Sequence, residues 1–214
     1  MRHRLVVLIS GSGSNLQAIL DACNSGKLPA EVALVLSNRA DAYGLVRAQQ
    51  TGIPTAVLSH QDYASRDAFD QAMIDVIDTA RPDTVVLAGF MRILSPLFAE
   101  HYTGKLLNIH PSLLPKHKGL NTHQRALDAG DLQHGPSIHF VTAELDGGPV
   151  IAQAPFAVEP EDDVESLTHK VHLREHRLYP LVLDWRAHDR LYLDGKTVML
   201  DRLPLPASGY QLME

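Results

Sequence analysis

The chain has 214 residues, of which 45% are apolar and 21% are charged, and its formal net charge is −6. This composition is typical of a globular protein with its own core, and an acidic balance without a long basic run disfavours a nucleic-acid-binding protein. Cys23 is the single cysteine, which excludes an internal disulfide and a thiolate zinc site and predicts a reducing, cytoplasmic environment. The first apolar run, residues 5–9, is too short to cross a membrane, so no membrane association is expected.

The first half of the chain alternates apolar runs with amphipathic segments. Four apolar runs predict buried strands, at residues 5–9, 32–36, 56–58 and 84–88. Three segments between them predict helices, at residues 15–23, 43–50 and 65–80. Strands and helices that alternate in this way predict a parallel sheet built from β-α-β units.

The second half has a mixed pattern. Five further strands are predicted, at residues 106–110, 137–142, 150–158, 191–193 and 197–200, and two helices, at residues 124–129 and 163–188. We expect strands 137–142 and 150–158 to be antiparallel neighbours, and the proline-rich end of the chain to be loose. The predicted fold class is therefore α/β, with a mostly parallel, partly mixed twisted sheet and helices on both faces.

The loop at residues 10–15, Ser-Gly-Ser-Gly-Ser-Asn, joins the first strand to the first helix. Glycine lets backbone approach a ligand closely, and a helix N-terminus offers free N–H groups to an anion. Leu16 stands where a dinucleotide fingerprint has its third glycine, and no Gly-Lys-Ser/Thr follows to form a P-loop. We predict a site for one phosphate of a small ligand; the alternative is a tight turn that caps the helix.

Asn108 and His110 are two residues apart at the end of a predicted strand, so their side chains point to the same face. Together they can donate two hydrogen bonds to one developing oxyanion, as acyl-type transfer requires. Asp146, in Glu-Leu-Asp-Gly-Gly-Pro, is a candidate carboxylate to favour the charged form of His110. The alternatives are a polar pair that caps a strand and an aspartate that starts a glycine turn.

Four segments together resemble one enzyme family. They are Gly-Ser-Gly-Ser-Asn at 11–15, Leu-Ala-Gly-Phe-Met-Arg-Ile-Leu at 87–94, Asn-Ile-His-Pro-Ser-Leu-Leu-Pro at 108–115 and Glu-Leu-Asp-Gly-Gly-Pro-Val at 144–150. From residue 5 to about residue 188 the chain resembles the phosphoribosylglycinamide formyltransferases of purine synthesis, within the wider formyltetrahydrofolate-using superfamily. The glycine loop and the pair Glu175-His176 indicate this member of the superfamily.

The resemblance implies formyl transfer from 10-formyltetrahydrofolate, a co-substrate, to glycinamide ribonucleotide, without a metal. It implies that the catalytic residues are Asn108, His110 and Asp146, and that the ribonucleotide contacts Gly13, Ser14, Asn15 and Glu175. The residues implied to contact the formyl-folate are Arg66, Met91, Arg92, Ile93, Leu94, Thr142, Ala143, Glu144 and Leu145. It further implies one domain, 1–214, with a ribonucleotide-binding part at 1–100 and a folate-binding part at 101–214, acting on small molecules as a monomer or homodimer.

The loop after residue 115 departs from the family pattern. His117-Lys118-Gly119 stands where an aromatic residue, a proline and a glycine are usual, and Asn121 replaces a common histidine. Pro136 and His172 replace a common hydroxyl residue and a common glutamine. These changes concern loop closure and substrate contacts and leave the three predicted catalytic residues unchanged.

Three other functions fit parts of the pattern. A formyltetrahydrofolate hydrolase would use the same three residues with water as acceptor, but usually carries an N-terminal regulatory domain that is not expected here. A methionyl-tRNA formyltransferase usually has a C-terminal domain and a more basic surface, which the sequence does not show. A non-catalytic phosphate-ligand binding module would retain the glycine loop but would not need the three catalytic residues.

Overall fold

A computed structural model describes residues 2–213 of the chain. The strands are β1 (His3–Ile9), β2 (Ala30–Ser37), β3 (Thr55–Val57), β4 (Thr84–Leu87), β5 (Leu106–His110), β6 (Gln133–His134), β7 (Ser137–Phe140), β8 (Val150–Gln153), β9 (Phe156–Ala157), β10 (Leu191–Asp194), β11 (Thr197–Leu200), β12 (Leu203–Pro204) and β13 (Tyr210–Gln211). The helices are α1 (Ser14–Asn24), α2 (Tyr43–Gln50), α3 (Arg66–Thr79), α4 (Pro96–His101), α5 (Thr122–Asp128) and α6 (Val164–Ala187). None of these helices is both long and apolar enough to span a bilayer.

The main sheet has the strand order β13-β8-β7-β5-β4-β1-β2-β3. The run from β5 to β3 is parallel, whereas β7 is antiparallel to both β5 and β8. This confirms the mostly parallel, partly mixed sheet and the antiparallel pairing predicted for 137–142 and 150–158. Because β1, β4 and β5 are parallel, their carboxyl ends meet at one edge, where open α/β sheets bind ligands.

The side chains of β1 alternate between the two faces of the sheet, as a strand covered on both sides requires. Leu5, Val7 and Ile9 pack with buried residues of α1, α2 and α6. Val6 and Leu8 pack with buried residues of α3 and α4 on the other face. Full burial of such a side chain stabilises the fold by roughly 1.5–3 kcal/mol, so the continuous apolar run explains why helices cover both faces.

Helix α6 carries Glu175 and is tied to the sheet near the carboxyl edge. It begins with a capping box, in which Asp163 Oδ1 accepts from Ser166 N at 2.8 Å and Ser166 Oγ accepts from Asp163 N at 3.0 Å. Further along, the buried Tyr179 hydroxyl donates to the carbonyl oxygen of Leu87 at 2.9 Å. Leu87 ends β4, so this bond sets the position of the helix relative to the strand ends.

Two predictions about the second half are wrong. The predicted strand 150–158 is divided into β8 and β9, because Pro155 has no N–H for a strand ladder and β9 pairs with β6 in a separate sheet. The end of the chain is not loose. Tyr210 pairs with Ala152 at the edge of the main sheet, and its ring contacts Trp185 with the centroids 5.1 Å apart.

Helix α4 has no counterpart among the predicted helices. It spans six residues, which is too short for a helical period to emerge from the sequence. Its start signal is nevertheless present, because Ser95 Oγ accepts from Phe98 N at 3.4 Å and Pro96 occupies the first turn.

Candidate functional site

The predicted catalytic residues lie at the shared carboxyl edge of β1, β4 and β5. Asn108 and His110 stand in the last three positions of β5, the loop 10–15 follows β1, and the segment 88–95 follows β4. Strands β2 and β4 flank β1 on opposite sides, which makes this edge the point where the winding of the sheet reverses. The fold therefore brings three distant stretches of sequence to one crevice.

His110 and Asp146 meet as predicted. His110 Nδ1 lies 3.5 Å from Asp146 Oδ2, and both side chains are buried. The other ring nitrogen, Nε2, donates to the carbonyl oxygen of His117 at 2.9 Å. Both ring nitrogens thus face oxygen atoms, Nε2 at hydrogen-bond distance and Nδ1 at the longer distance of an ion pair.

A second histidine, His139, orients Asn108 and was not among the predicted site residues. It lies directly opposite Asn108 across the β5–β7 pair. His139 Nδ1 donates to the carbonyl oxygen of Phe140 at 2.9 Å, which leaves Nε2 free to accept from Asn108 Nδ2 at 3.1 Å. Burial lowers the pKa of His139 to about 4, so the ring is neutral and stays an acceptor at neutral pH. Only the pairing register of β5 with β7 reveals this residue.

The turn that carries Asp146 depends on the glycines that follow it. Asp146 has a φ of 48°, in the left-handed region that aspartate tolerates better than most residues. A Cβ at Gly148 would lie 1.8 Å from the carbonyl oxygen of Phe140, so no other residue fits without moving the turn. Asp146 Oδ2 also accepts from the backbone N–H of Gly119 at 2.9 Å, which joins the turn to the loop after β5.

That loop, residues 111–121, lies closed over the predicted catalytic residues, where the carbonyl oxygen of His117 contacts His110 and the N–H of Gly119 contacts Asp146. Asp131 holds it through two contacts at 2.7 Å, one from Lys116 Nζ and one from His117 Nε2. Burial opposes ionisation of Asp131, but the hydrogen bonds from Lys116 and His117 outweigh it and keep its pKa below the ordinary value. Lys118 Nζ adds a contact to Glu144 at 2.7 Å. The unusual His117-Lys118 pair therefore supplies side-chain anchors for the loop.

Two further departures from the family pattern, Asn121 and His172, lie in the helices α5 and α6 or at their start. Asn121 has a φ of 57° at the start of α5, a left-handed conformation in which asparagine is favoured. His172 stacks on His176 one turn later in α6, with the ring centroids 6.2 Å apart. Neither contact involves Asn108, His110 or Asp146.

The glycine loop approaches α2 closely and meets Glu175 through Asn15. Gly13 has a φ of 69°, and a Cβ there would lie 2.7 Å from Gly44 Cα. Asn15, in the first turn of α1, donates from Nδ2 to Glu175 Oε2 at 2.9 Å, and both side chains are buried. Burial raises the pKa of Glu175 to about 7, against the hydrogen bond from Asn15 that favours ionisation. Ser14 begins α1, so the N–H groups of its first turn point to the crevice edge.

The predicted folate-contacting residues lie on two exposed segments and one helix start. Met91, Arg92 and Ile93 are exposed and Leu94 is half-buried, in irregular chain between β4 and α4. The second segment, between β7 and Asp146, exposes Thr142, Ala143, Glu144 and Leu145. Arg66 is the exposed first residue of α3, and its guanidinium has no hydrogen bond or ion pair to another residue in the range 2–213. Exposed large apolar side chains beside a polar crevice suit a ligand with an aromatic ring system.

Within residues 2–213, no group of three or more histidine, cysteine, aspartate and glutamate side chains is placed to hold a metal ion. Cys23 lies in α1, where burial raises the pKa of its thiol to about 11. That thiol is a poor nucleophile, because the thiolate is the reactive form.

Comparisons with known proteins agree with this geometry. The family model described as formyl transferase matches residues 3–183. The phosphoribosylglycinamide formyltransferase of Escherichia coli is 55% identical over 206 residues, covering 96% of this chain and 97% of the relative. That of Haemophilus influenzae is 49% identical over 207 residues, covering 97% and 98%. The solved structure of the Coxiella burnetii phosphoribosylglycinamide formyltransferase, 51% identical, superposes with a TM-score of 0.96 over 99% of both chains. The chain therefore belongs to the formyl transferase family.

Proposed function

We propose that this protein transfers the formyl group of 10-formyltetrahydrofolate to the primary amine of glycinamide ribonucleotide, a step of purine biosynthesis. The observation that carries the proposal is the meeting of Asn108, His110 and Asp146 in one crevice, between an anion-binding loop and an exposed apolar segment. The Escherichia coli and Haemophilus influenzae relatives carry the name of this enzyme.

The ribonucleotide is proposed to bind along the edge formed by α1 and α6. Its phosphate would accept hydrogen bonds from the backbone N–H groups of Gly13, Ser14 and Asn15, at the positive end of the helix. Glu175, held by Asn15 at 2.9 Å, would accept hydrogen bonds from the ribose hydroxyls. Burial raises the pKa of Glu175 and so disfavours its ionised form. Hydroxyl groups of the ribose that donate to this carboxylate would stabilise the ionised form.

The formyl-folate is proposed to lie between the segments 91–94 and 142–145, with Arg66 near its acidic tail. Met91, Ile93 and Leu145 would cover its ring system, since each leaves a large apolar side chain exposed. Arg66 is a cation without an ionic partner in the range 2–213, so it is available to a carboxylate. The cofactor would thereby present its formyl group to the end of β5.

The reaction forms one bond and breaks another. The amine nitrogen attacks the formyl carbon, the bond from that carbon to N10 of the folate breaks, and one proton passes from the amine to N10. Asn108 Nδ2 and His110 Nε2 would donate to the formyl oxygen as it gains negative charge, each contributing about 2–4 kcal/mol in sites of this kind. Asp146 would keep His110 cationic and oriented, and would relay the proton through water.

In the closed loop, His110 Nε2 is bonded to the carbonyl oxygen of His117. The formyl oxygen must replace that carbonyl oxygen, so the loop 111–121 must shift when the co-substrates bind. The exchange conserves one hydrogen bond to His110, which keeps the energetic cost of the shift small.

The proposal is tested by a formyl-transfer assay with glycinamide ribonucleotide, run with and without the acceptor. Transfer that requires the acceptor supports the transferase, and acceptor-independent release of formate would instead identify a hydrolase. Replacing Asp146 with asparagine should lower kcat by about 100-fold or more, since it removes the charge that holds His110. Near wild-type transfer by Asp146→Asn with an unchanged pH profile would contradict the assigned roles.

Location and assembly remain predictions. The single cysteine predicts a cytoplasmic protein, and small-molecule substrates require neither nucleic acid nor a membrane. A monomer or a homodimer is expected, and light scattering coupled to size-exclusion chromatography distinguishes the two.

A further inference from the structure

The segment 91–94 is held at both ends by buried side chains, Ser10 and Asp70, that are not among the residues proposed to contact either substrate. At its start, the backbone N–H of Met91 donates to Ser10 Oγ at 2.7 Å. Just beyond its end, the backbone N–H of Ser95 donates to Asp70 Oδ2 at 2.5 Å. Ser10 follows β1 and Asp70 lies in α3, so the two anchors come from elements on either side of the segment.

The anchor at Ser10 is part of a short relay. Its hydroxyl accepts from Met91 N and donates to Asn38 Oδ1 at 2.6 Å, which uses the proton and a lone pair together. Ser10 and Asn38 are both buried, and Asn38 directly follows β2. The start of the segment is therefore connected by hydrogen bonds to the ends of β1 and β2, and by the chain itself to the end of β4.

The anchor at Asp70 is unusual for its surroundings. Asp70 is 1% exposed, and the other buried residues of α3 are apolar, namely Phe69, Met73, Ile74 and Ile77. A carboxylate in such a place costs free energy unless it is hydrogen-bonded. Its bond to Ser95 N offsets part of that cost and fixes the position of the residue that precedes α4.

Between the anchors the chain has no regular structure that would hold its shape. Met91 is 70% exposed and Ile93 is 59% exposed, so packing does not fix their backbone, whereas Leu94 packs against the core next to Ser95. The conformation of the exposed part of the segment consequently depends on the bonds at its two ends and on the packing of Leu94. We infer that Ser10 and Asp70 are positioning residues that hold residues 91–94 in the conformation that receives the formyl-folate, an inference that rests on the proposed function.

Residues 11–15 of the glycine loop, which include those proposed to bind the phosphate, are held by other contacts, so the two effects are separable. Gly44 N donates to the carbonyl oxygen of Gly11 at 3.0 Å, and Arg47 Nε donates to that of Ser12 at 2.8 Å. Neither contact involves the hydroxyl of Ser10 or the carboxylate of Asp70. Loss of an anchor should weaken binding of the folate and leave binding of the ribonucleotide unchanged.

The experiment compares Ser10→Ala and Asp70→Ala, each of which removes the acceptor at one end of the segment, with the wild type. Each variant should raise the KM for 10-formyltetrahydrofolate and the Kd for tetrahydrofolate about five- to tenfold, the loss expected for one buried hydrogen bond. The KM for glycinamide ribonucleotide and kcat should stay within about twofold of wild type. Thr84→Val is the matched control, because it removes a buried hydroxyl at the opposite end of β4.

A second readout does not depend on activity. Amide hydrogen exchange over residues 88–97 should accelerate in Ser10→Ala and Asp70→Ala, and should not change in Thr84→Val. Unaltered folate constants in either well-folded variant, or equal losses for both substrates, would overturn the inference. Absence of transfer by the wild-type enzyme would instead refute the proposed function, so the two failures are distinguishable.

Discussion

Asn108 donates its Nδ2 proton to His139 Nε2 across the β5–β7 pair, at 3.1 Å. This bond fixes the nitrogen of the carboxamide towards His139. It therefore also fixes the directions of the second N–H and of the side-chain oxygen of Asn108. A catalytic donor whose orientation is set before substrate arrives loses no free energy to reorganisation in the transition state. The predictions below follow from this contact and from three others around the crevice.

The first prediction concerns the acceptor on His139. His139→Asn retains a donor close to Nδ1 for the Phe140 carbonyl but removes the acceptor, whereas His139→Gln places an oxygen near Nε2. We expect His139→Asn to lower kcat by about tenfold with little change in either KM, and His139→Gln to restore most of it. Equal kcat in the two variants, measured by steady-state kinetics on folded protein, would show that the acceptor is irrelevant.

The second prediction concerns stability and pH at Glu175. Burial raises its folded-state pKa from 4.5 to about 7, so stability is lost as pH rises through that window. Glu175→Gln removes the charge and should increase the free energy of unfolding at pH 8 by on the order of 1–3 kcal/mol, with little change near pH 4. The same variant should raise the KM for glycinamide ribonucleotide by about tenfold.

Urea unfolding at both pH values and steady-state kinetics test this prediction. An increase in the free energy of unfolding at pH 4 equal to that at pH 8 would mean that ionisation of Glu175 does not cause the stability difference. Stabilisation with an unchanged KM for the ribonucleotide would remove Glu175 from the substrate site.

The third prediction concerns the loop 111–121. Asp131→Asn weakens the contacts from Lys116 Nζ and His117 Nε2, both at 2.7 Å. Amide exchange in the loop should accelerate by about tenfold while β5 stays protected, because the strand is held by its own ladder. Asp128→Asn is the control, since Asp128 is exposed and, within residues 2–213, its carboxylate accepts only from Gln124, at 2.7 Å. Indistinguishable exchange in the two variants would contradict the anchoring role of Asp131.

The fourth prediction concerns the turn before β8. Gly148→Ala forces a Cβ against the carbonyl oxygen of Phe140 and should displace Asp146, lowering transfer by about 100-fold. Gly195→Ala is the comparison, because Gly195 has a φ of 60° with open space around it and should cost only roughly 1 kcal/mol of stability. Circular dichroism confirms folding of both variants. Full activity of Gly148→Ala would show that the turn is adaptable.

Local patterns in the sequence were sufficient for most of the fold. Continuous apolar runs such as 84–88 predict strands buried on both faces, and the period of Phe69, Met73 and Ile77 predicts α3, because both signals depend only on local chain geometry. These local signals could not predict the strand at the end of the chain. Tyr210 and Gln211 form a strand only because β8 offers an unpaired edge, which no property of those two residues reveals.

The candidate site likewise has features that the sequence predicts and features that only the tertiary structure shows. Asn108 and His110 share a face because strand side chains alternate, so the sequence alone determines that they lie side by side. Asn15 and Glu175 are 160 residues apart, and His139 and the carbonyl oxygen of His117 come from other elements. Their contacts with the site depend on how β7 pairs, how α6 crosses the sheet and how the loop closes. Those arrangements arise from long-range packing and hydrogen bonding, and only the tertiary structure decides them.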